Sequence, residues 1–190
     1  TGKNQIIRIQ YLLLSSLLSL TFLSMIVASF HQYNYLNYYL GGSRVKAYIK
    51  VGSILDQAYP GSSLLTSEIG GLGYSFRGKI LDGGGLASAE ALSFHPMPFP
   101  EQRENGEIGA IPPGYVALTN PEIIVSYDYF AEALLKDGIL SNYQMVSFPA
   151  FLPEDAINLS NTFFYKNNQL RVLIRNDLPV AQSLMDLAQH

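Results

Sequence analysis

Two carboxylates, Glu68 and Asp82, each close a short apolar run and each precede glycines, in Ser67-Glu68-Ile69-Gly70-Gly71 and Leu81-Asp82-Gly83-Gly84-Gly85. If the two runs are neighbouring parallel strands, both acids lie at carboxyl ends of strands. There the amides of glycine-rich turns can meet a ligand. The plainer alternative is turn chemistry: Glu68 caps the turn at 69–71, and Asp82 accepts amides from Gly84 and Gly85. His95 follows nearby and, with Asp82 and Glu90, supplies side chains that hold divalent metals, but at no recognised ligand spacing. An exposed histidine before Pro96 is the alternative. Arg77 and Lys79 are able to pair with a phosphate or a carboxylate, or else mark a polar hairpin tip. The triple glycine lacks the spacing and the Lys-Ser/Thr of a phosphate-binding loop, and tight turns with positive φ account for it. No Ser–His–Asp set or paired-carboxylate spacing is readable. The absence of cysteine removes disulfides and thiolate metal sites.

These residues need a scaffold, and the pattern around them supplies one. Residues 43–59 have helical periodicity, with Val45, Ile49, Gly52, Leu55 and Tyr59 as the apolar stripe and Lys46, Lys50, Ser53 and Gln57 opposite. Pro60-Gly61 ends that helix. Its basic residues, Arg44, Lys46 and Lys50, read as a solvated face, with lipid phosphate contact as the alternative. Strands are expected at 64–66 and 79–82, with a turn at Arg77-Gly78 between them. Ser88 is placed to cap a short helix through Leu92, with Glu90 in its first turn. The Pro-rich stretch 95–113 is too long for a simple connector and has the character of a functional loop. Pro112-Pro113 opens a short helix to Thr119. A buried strand at 122–125 follows, then a helix from Ser126 with Phe130, Ala131, Leu134 and Leu135 inward and Gly138 as its stop. Further strands are expected at 143–148, 163–165 and 170–174, the last two as a hairpin around residues 166–168, and a short amphipathic helix at 180–187. Helices alternating with strands predict a small mixed-sheet α/β sandwich over residues 32–190.

Residues 11–30, YLLLSSLLSLTFLSMIVASF, carry no charge. At about 1.5 Å per residue they span roughly the 30 Å of a bilayer core. The expectation is a transmembrane helix within residues 1–31, with a cytoplasmic flank. A cleaved signal peptide would have an apolar core of only about 7–15 residues, and a buried core helix would be unusual at this length. Tyr33, Tyr35, Tyr38 and Tyr39 have the amphipathic character of an aromatic belt. The first 55 residues hold five basic and no acidic side chains, and the whole chain has a formal charge of −3. Basic residues flank the apolar run on both sides, so charge does not orient it. An acidic remainder with no basic patch argues against nucleic-acid partners. Asn158-Leu159-Ser160 matches a glycosylation sequon by pattern only.

The order Glu68-Ile69-Gly70, Gly73-Tyr74, a strand ending at Asp82, Gly85-Leu86 and Ser88-Ala89-Glu90-Ala91 is followed later by Asn120-Pro121-Glu122-Ile123-Ile124-Val125 and Tyr143. It resembles the C-terminal soluble domain of bacterial polytopic GT-C type glycosyltransferases, the polyprenyl-phosphate-sugar mannosyl- and arabinosyltransferase relatives. The resemblance covers about half the chain, residues 46–146. Gly83-Gly84 and Glu122 depart from it, where bulkier residues and Asp are usual. It implies an extracytoplasmic domain at the cell membrane that covers the site where a lipid-phosphate-linked sugar meets its glycan or protein acceptor. It places the catalytic acid in an early loop that this chain does not contain. The chain opens Thr-Gly-Lys, so it is expected to be a fragment of a larger protein. Within it Glu68, Tyr74, Arg77, Asp82 and His95 are the candidate ligand-binding residues, with no catalytic residue, cofactor or metal expected. The rival expectation is a non-enzymatic, single-pass tethered binding or assembly domain.

Overall fold

A computed structural model describes residues 2–38, 42–97, 111–149 and 168–188. The chain forms two units, Thr1–Gly42 and Ser43–His190. The first is a single helix, α1 (Gly2–Tyr38). Its apolar part, Ile7–Gln32, is 26 residues long and none of it is buried by protein. That makes roughly 39 Å of helix at 1.5 Å per residue, more than a bilayer core requires. It is the one helix among the described residues long and apolar enough to cross a membrane. Its hydroxyls are satisfied within the helix: Ser15, Thr21 and Ser24 donate to the carbonyls of Leu12, Leu18 and Thr21, at 3.0, 2.8 and 2.8 Å. The helix continues beyond residue 31 to Tyr38. The side chains of the expected aromatic belt, Tyr33, Tyr35, Tyr38 and Tyr39, lie outside the described residues.

The second unit is an α/β fold on a five-stranded mixed sheet. In chain order it comprises α2 (Gly42–Ala58), β1 (Ser63–Thr66), α3 (Ile69–Ser75), β2 (Lys79–Asp82), a 3-10 helix (Ala89–Phe94), α4 (Pro113–Thr119) and β3 (Ile123–Tyr127). Then come α5 (Asp128–Leu135), a second 3-10 helix (Gly138–Asn142), β4 (Tyr143–Pro149), β5 (Gln169–Arg175) and α6 (Gln182–Ala188). The strand order is β2-β1-β3-β5-β4. β1 pairs in parallel with β2, Thr66 opposite Asp82, and with β3, Thr66 opposite Val125. β5 runs antiparallel to both β3 and β4.

Successive strand residues point to opposite faces, and each face has its own core. Leu64, Ile123, Val125, Val172 and Ile174 lie in one cluster with Tyr48 and Leu55 of α2 and Leu72 of α3. Leu65, Leu81, Ile124 and Leu173 lie in the other with Ala91, Tyr115, Val116 and Leu134. The β1–β2 crossover therefore passes over one face and the β2–β3 crossover over the other.

Four expectations need correction. The expected hairpin tip at Arg77 and Lys79 is instead the return from a helical crossover, because β1 and β2 are parallel. In α2 the buried face is Ser43, Ala47, Tyr48, Val51, Gly52 and Leu55, whereas Val45 is 44% exposed. The stripe is rotated because α3 closes onto α2 at Gly52 and Gly71, where an added Cβ would lie 2.2 Å from Ser75 Oγ and 2.7 Å from Tyr48 Cβ. Ser126 does not begin a helix, since β5 pairs with β3 as far as Tyr127 and α5 starts at Asp128. Gly138 does not stop that helix, which ends at Leu135; it opens a 3-10 turn whose preceding Asp137 accepts the Ile139 amide. The strand expected at 163–165, most of the 95–113 loop and the Asn158 sequon lie outside the described residues.

Candidate functional site

In a sheet whose crossovers pass on opposite faces, the winding reverses between two strands, and a crevice opens at their carboxyl ends. Here those strands are β1 and β3. Ser67 and Glu68 follow β1, and Ser126 and Tyr127 close β3. Ser67 Oγ and Ser126 Oγ share a hydrogen bond of 2.7 Å that ties the two ends together.

Glu68 occupies the N-cap position of α3 with extended backbone, φ −139 and ψ 106, yet its side chain makes no capping bond. It reaches α2, where Arg44 Nη2 stands 3.0 Å from Oε1. The Arg44 guanidinium lies 5.7 Å from the centroid of the Phe130 ring on α5, which holds the cation in place. Both charged side chains keep about a quarter of their surface in solvent, 26% for Arg44 and 27% for Glu68, so a ligand can reach the pair. One helical turn beyond Arg44, Tyr48 is 1% exposed, its ring packed edge-on against Tyr127 at 5.2 Å. Tyr48 Oη and Glu68 Oε2 are both buried, and the phenol and the carboxyl stand close enough to act on each other.

Burial raises the Glu68 carboxyl above its ordinary value, against the opposing pull of Arg44 and of the Tyr48 phenol. Burial also pushes the Tyr48 phenol up, and the Glu68 charge adds to that, so Tyr48 stays a neutral hydroxyl. For an acid with a raised folded-state pKa, the folded protein binds more protons than the unfolded chain. Stability therefore falls as pH rises from the usual glutamate range through the raised value. Chemical denaturation of the wild type between pH 4 and 8 is expected to show this downward slope, and Glu68→Gln to flatten it. Equal slopes in the two proteins would mean that Glu68 titrates as it does when unfolded.

The other expected residues are distributed as follows. Asp82, 2% exposed, uses both oxygens on its own turn: Oδ1 accepts from the Gly84 amide at 2.9 Å and Oδ2 from the Ala87 amide at 2.8 Å. Ser88 does not cap the following 3-10 helix; its hydroxyl accepts the Asp82 amide at 2.9 Å. His95 Nε2 lies 2.9 Å from the Gly83 carbonyl, so His95 braces the same turn. No group of three or more metal-ligating side chains occurs among the described residues. Arg77 stands at the amino end of β2, opposite the end that carries Glu68 and Asp82. Its amide donates to Asp56 Oδ1 at 2.7 Å, and its side chain is exposed. Tyr74, on α3, is 83% exposed. The structure thus brings Asp82 and His95 to one turn and Glu68 to the neighbouring strand end, and it separates Arg77 from all three.

No family model, curated protein or solved structure matches this chain. The site is therefore read from its own geometry. Sequence reasoning missed Arg44, Tyr48, Ser67 and Ser126. A signal existed for the first two: Arg44 and Tyr48 are four residues apart and share a helix side that excludes Lys46 and Lys50. Nearby, Arg171 of β5 grips Asp128 with Nε–Oδ1 at 2.6 Å and Nη2–Oδ2 at 3.0 Å, and also bonds Ser147. This bidentate pair fastens the antiparallel half of the sheet to the first turn of α5, where the helix dipole favours the acid.

Proposed function

We propose that this chain is the carboxyl-terminal part of an integral-membrane glycosyltransferase that uses a lipid-phosphate-linked sugar. In this reading its α/β unit lies on the extracytoplasmic side, covers the active site and helps to bind donor lipid or acceptor. The observation that carries the proposal is the position of Glu68-Ile69-Gly70. This part of the order that carries the GT-C resemblance follows the carboxyl end of β1, beside β3, and Arg44 Nη2 stands 3.0 Å from Glu68 Oε1 there. An α/β fold that follows a helix able to cross a bilayer supports the same reading. The chain's residues here bind and orient; the resemblance places the catalytic acid in a loop elsewhere.

The test uses the full chain in a lipid nanodisc and a photoreactive polyprenyl-phosphate sugar. Labelling is expected on peptides bearing Ser67 to Gly71 and Ser126 to Phe130, and excess unlabelled polyprenyl phosphate is expected to suppress it. Equal labelling by the phosphate-free polyprenol, or labelling confined to α1, would overturn the proposal in favour of a tethered binding or assembly domain.

A further inference from the structure

We propose that Leu86 and Leu92 form a membrane-docking tip, by which the α/β unit rests on the bilayer that α1 crosses. The two side chains enter the boundary between lipid headgroups and acyl chains. The inference goes beyond the glycosyltransferase reading and stands apart from it, since a tethered binding domain would dock in the same way. It rests on α1 crossing a bilayer.

Leu86 is 94% exposed and Leu92 is 54% exposed. Leu92 lies against the turn that carries Leu86, because a Cβ added to Gly85 would stand 2.5 Å from Leu92 Cδ2. Ala87 and Ala89 beside them are exposed as well. Single exposed leucines are ordinary. What sets this pair apart is a backbone suited to a medium poor in water. The amides of Gly83, Gly84, Gly85 and Ala87 donate to the Thr66 carbonyl, Asp82 Oδ1, the Asp82 carbonyl and Asp82 Oδ2, at 2.8, 2.9, 3.2 and 2.8 Å. His95 Nε2 stands 2.9 Å from the Gly83 carbonyl. A turn whose amides are satisfied by its own chain loses little on leaving water, whereas an open loop would forfeit a hydrogen bond at each amide. The Asp82 carboxylate that accepts two of them is buried, so the turn presents leucine outward and keeps its charge inside.

The position of the tip names its occupant. The turn follows the carboxyl end of β2. α2 begins at that same end of the sheet, because Arg44 in its first turn reaches Glu68, just beyond β1. Tyr38 ends α1 and Gly42 begins α2. The sheet end that bears the tip is therefore the end by which the chain is tied to α1, and through α1 to a bilayer. Val45, also in the first turn of α2, adds a further exposed apolar side chain. The amino end is charged: Arg77 and Lys79 are exposed at the start of β2, and Arg175 closes β5 on that side with Asp177 after it. A tether holds the membrane at high local concentration, so a few apolar side chains suffice where a free protein would need a long amphipathic helix. Glu90, exposed next to Ala89, stays among the headgroups and keeps the entry shallow, about 5–10 Å.

The sequence holds no cysteine, so a single one can carry a probe. The experiment uses the full chain in phosphatidylcholine nanodiscs, with an environment-sensitive fluorophore on Ala87→Cys or, as control, on Leu118→Cys. Leu118 is 67% exposed on α4, toward the amino end of the sheet. The quenchers are phosphatidylcholine brominated near the carboxyl end of its acyl chains, and aqueous iodide. The probe at 87 is expected to be quenched several-fold more by brominated lipid than the probe at 118, and several-fold less by iodide. Leu86→Ser combined with Leu92→Ser removes the apolar contact and is expected to return the probe at 87 to the pattern of the probe at 118. Both leucines are exposed, and Tm values read in parallel show that the fold is kept. Equal lipid quenching at 87 and 118, or lipid quenching at 87 that survives the double substitution, would overturn the proposal. Shielding from iodide without lipid quenching overturns it in favour of a protein surface that covers the tip. Each of these outcomes leaves the labelling test of the glycosyltransferase reading as it stands.

Discussion

Gly71→Ala is expected to lower the stability of the α/β unit by about 2 kcal/mol, the range of overpacking a tight interface, whereas Gly73→Ala should raise it by about 0.5–1 kcal/mol. The two glycines belong to the same short helix and differ in what a methyl group would meet. At Gly71 a Cβ would stand 2.7 Å from Tyr48 Cβ and 2.7 Å from the Val45 carbonyl oxygen, and 3.3 Å from the Ile49 amide. Two of those atoms are backbone of α2, so relief requires the helices to part. At Gly73 nothing lies within 4 Å, and alanine would simply remove the backbone entropy that glycine loses in a helix. Gly70 is equally open and should behave as Gly73 does. Separation of α2 from α3 also moves Arg44 away from Glu68, because the pair spans that junction. Gly71→Ala should therefore weaken polyprenyl-phosphate binding as well as stability, while Gly73→Ala leaves binding unchanged. Urea denaturation of the three variants measures the first effect and calorimetry the second. A stability loss at Gly73 as large as at Gly71 would contradict this account of the junction.

The same junction marks how far the fold and the site were legible in the sequence. β1, β2 and β3 are short apolar runs bounded by glycine, proline or asparagine, and local pattern suffices for them. α3 carries three glycines in seven residues, which argues against a helix on propensity. It is a helix because Leu72 fills the core and Gly71 admits α2. Ser126 reads as a helix cap for a local reason, the preference of serine for that position. The strand continues through it because Arg171 and Leu170 of β5 lie opposite Ser126 and Tyr127. Arg44 counted as one more base on a solvated face, since its partner lies beyond α2 and β1 in the chain. The acids of the site were found because each stands beside glycines, which is local information. The cation, the phenol and the paired serines that give Glu68 its setting are brought together only by tertiary pairing. Asp82 divides the alternatives cleanly: acceptance of backbone amides was the plainer reading, and the amides it holds are those of Gly84 and Ala87.

Asp82→Ala is expected to cost about 3–5 kcal/mol, because each of two charge-assisted bonds to amides is worth roughly 1.5–3 kcal/mol. The loss exceeds that of a surface carboxylate because Asp82 is 2% exposed, and water cannot fully replace it at Gly84 and Ala87. Gly85 holds φ at +83 in the same turn, and Gly83 donates its amide to the Thr66 carbonyl at 2.8 Å. The turn thus fixes the β2 end against β1, and its collapse would spread to the strand that carries Ser67 and Glu68. Asp82→Asn separates this structural role from a ligand role. The amide keeps one acceptor oxygen but turns an NH2 group toward the other backbone donor, for an expected loss of about 2 kcal/mol. At a temperature where the Asn variant is fully folded, its affinity for polyprenyl phosphate should match wild type, because both Asp82 oxygens are engaged by the chain itself. If Asp82→Asn instead leaves stability intact and abolishes binding, Asp82 is a ligand after all, and the site extends from the β1–β3 crevice to the end of β2.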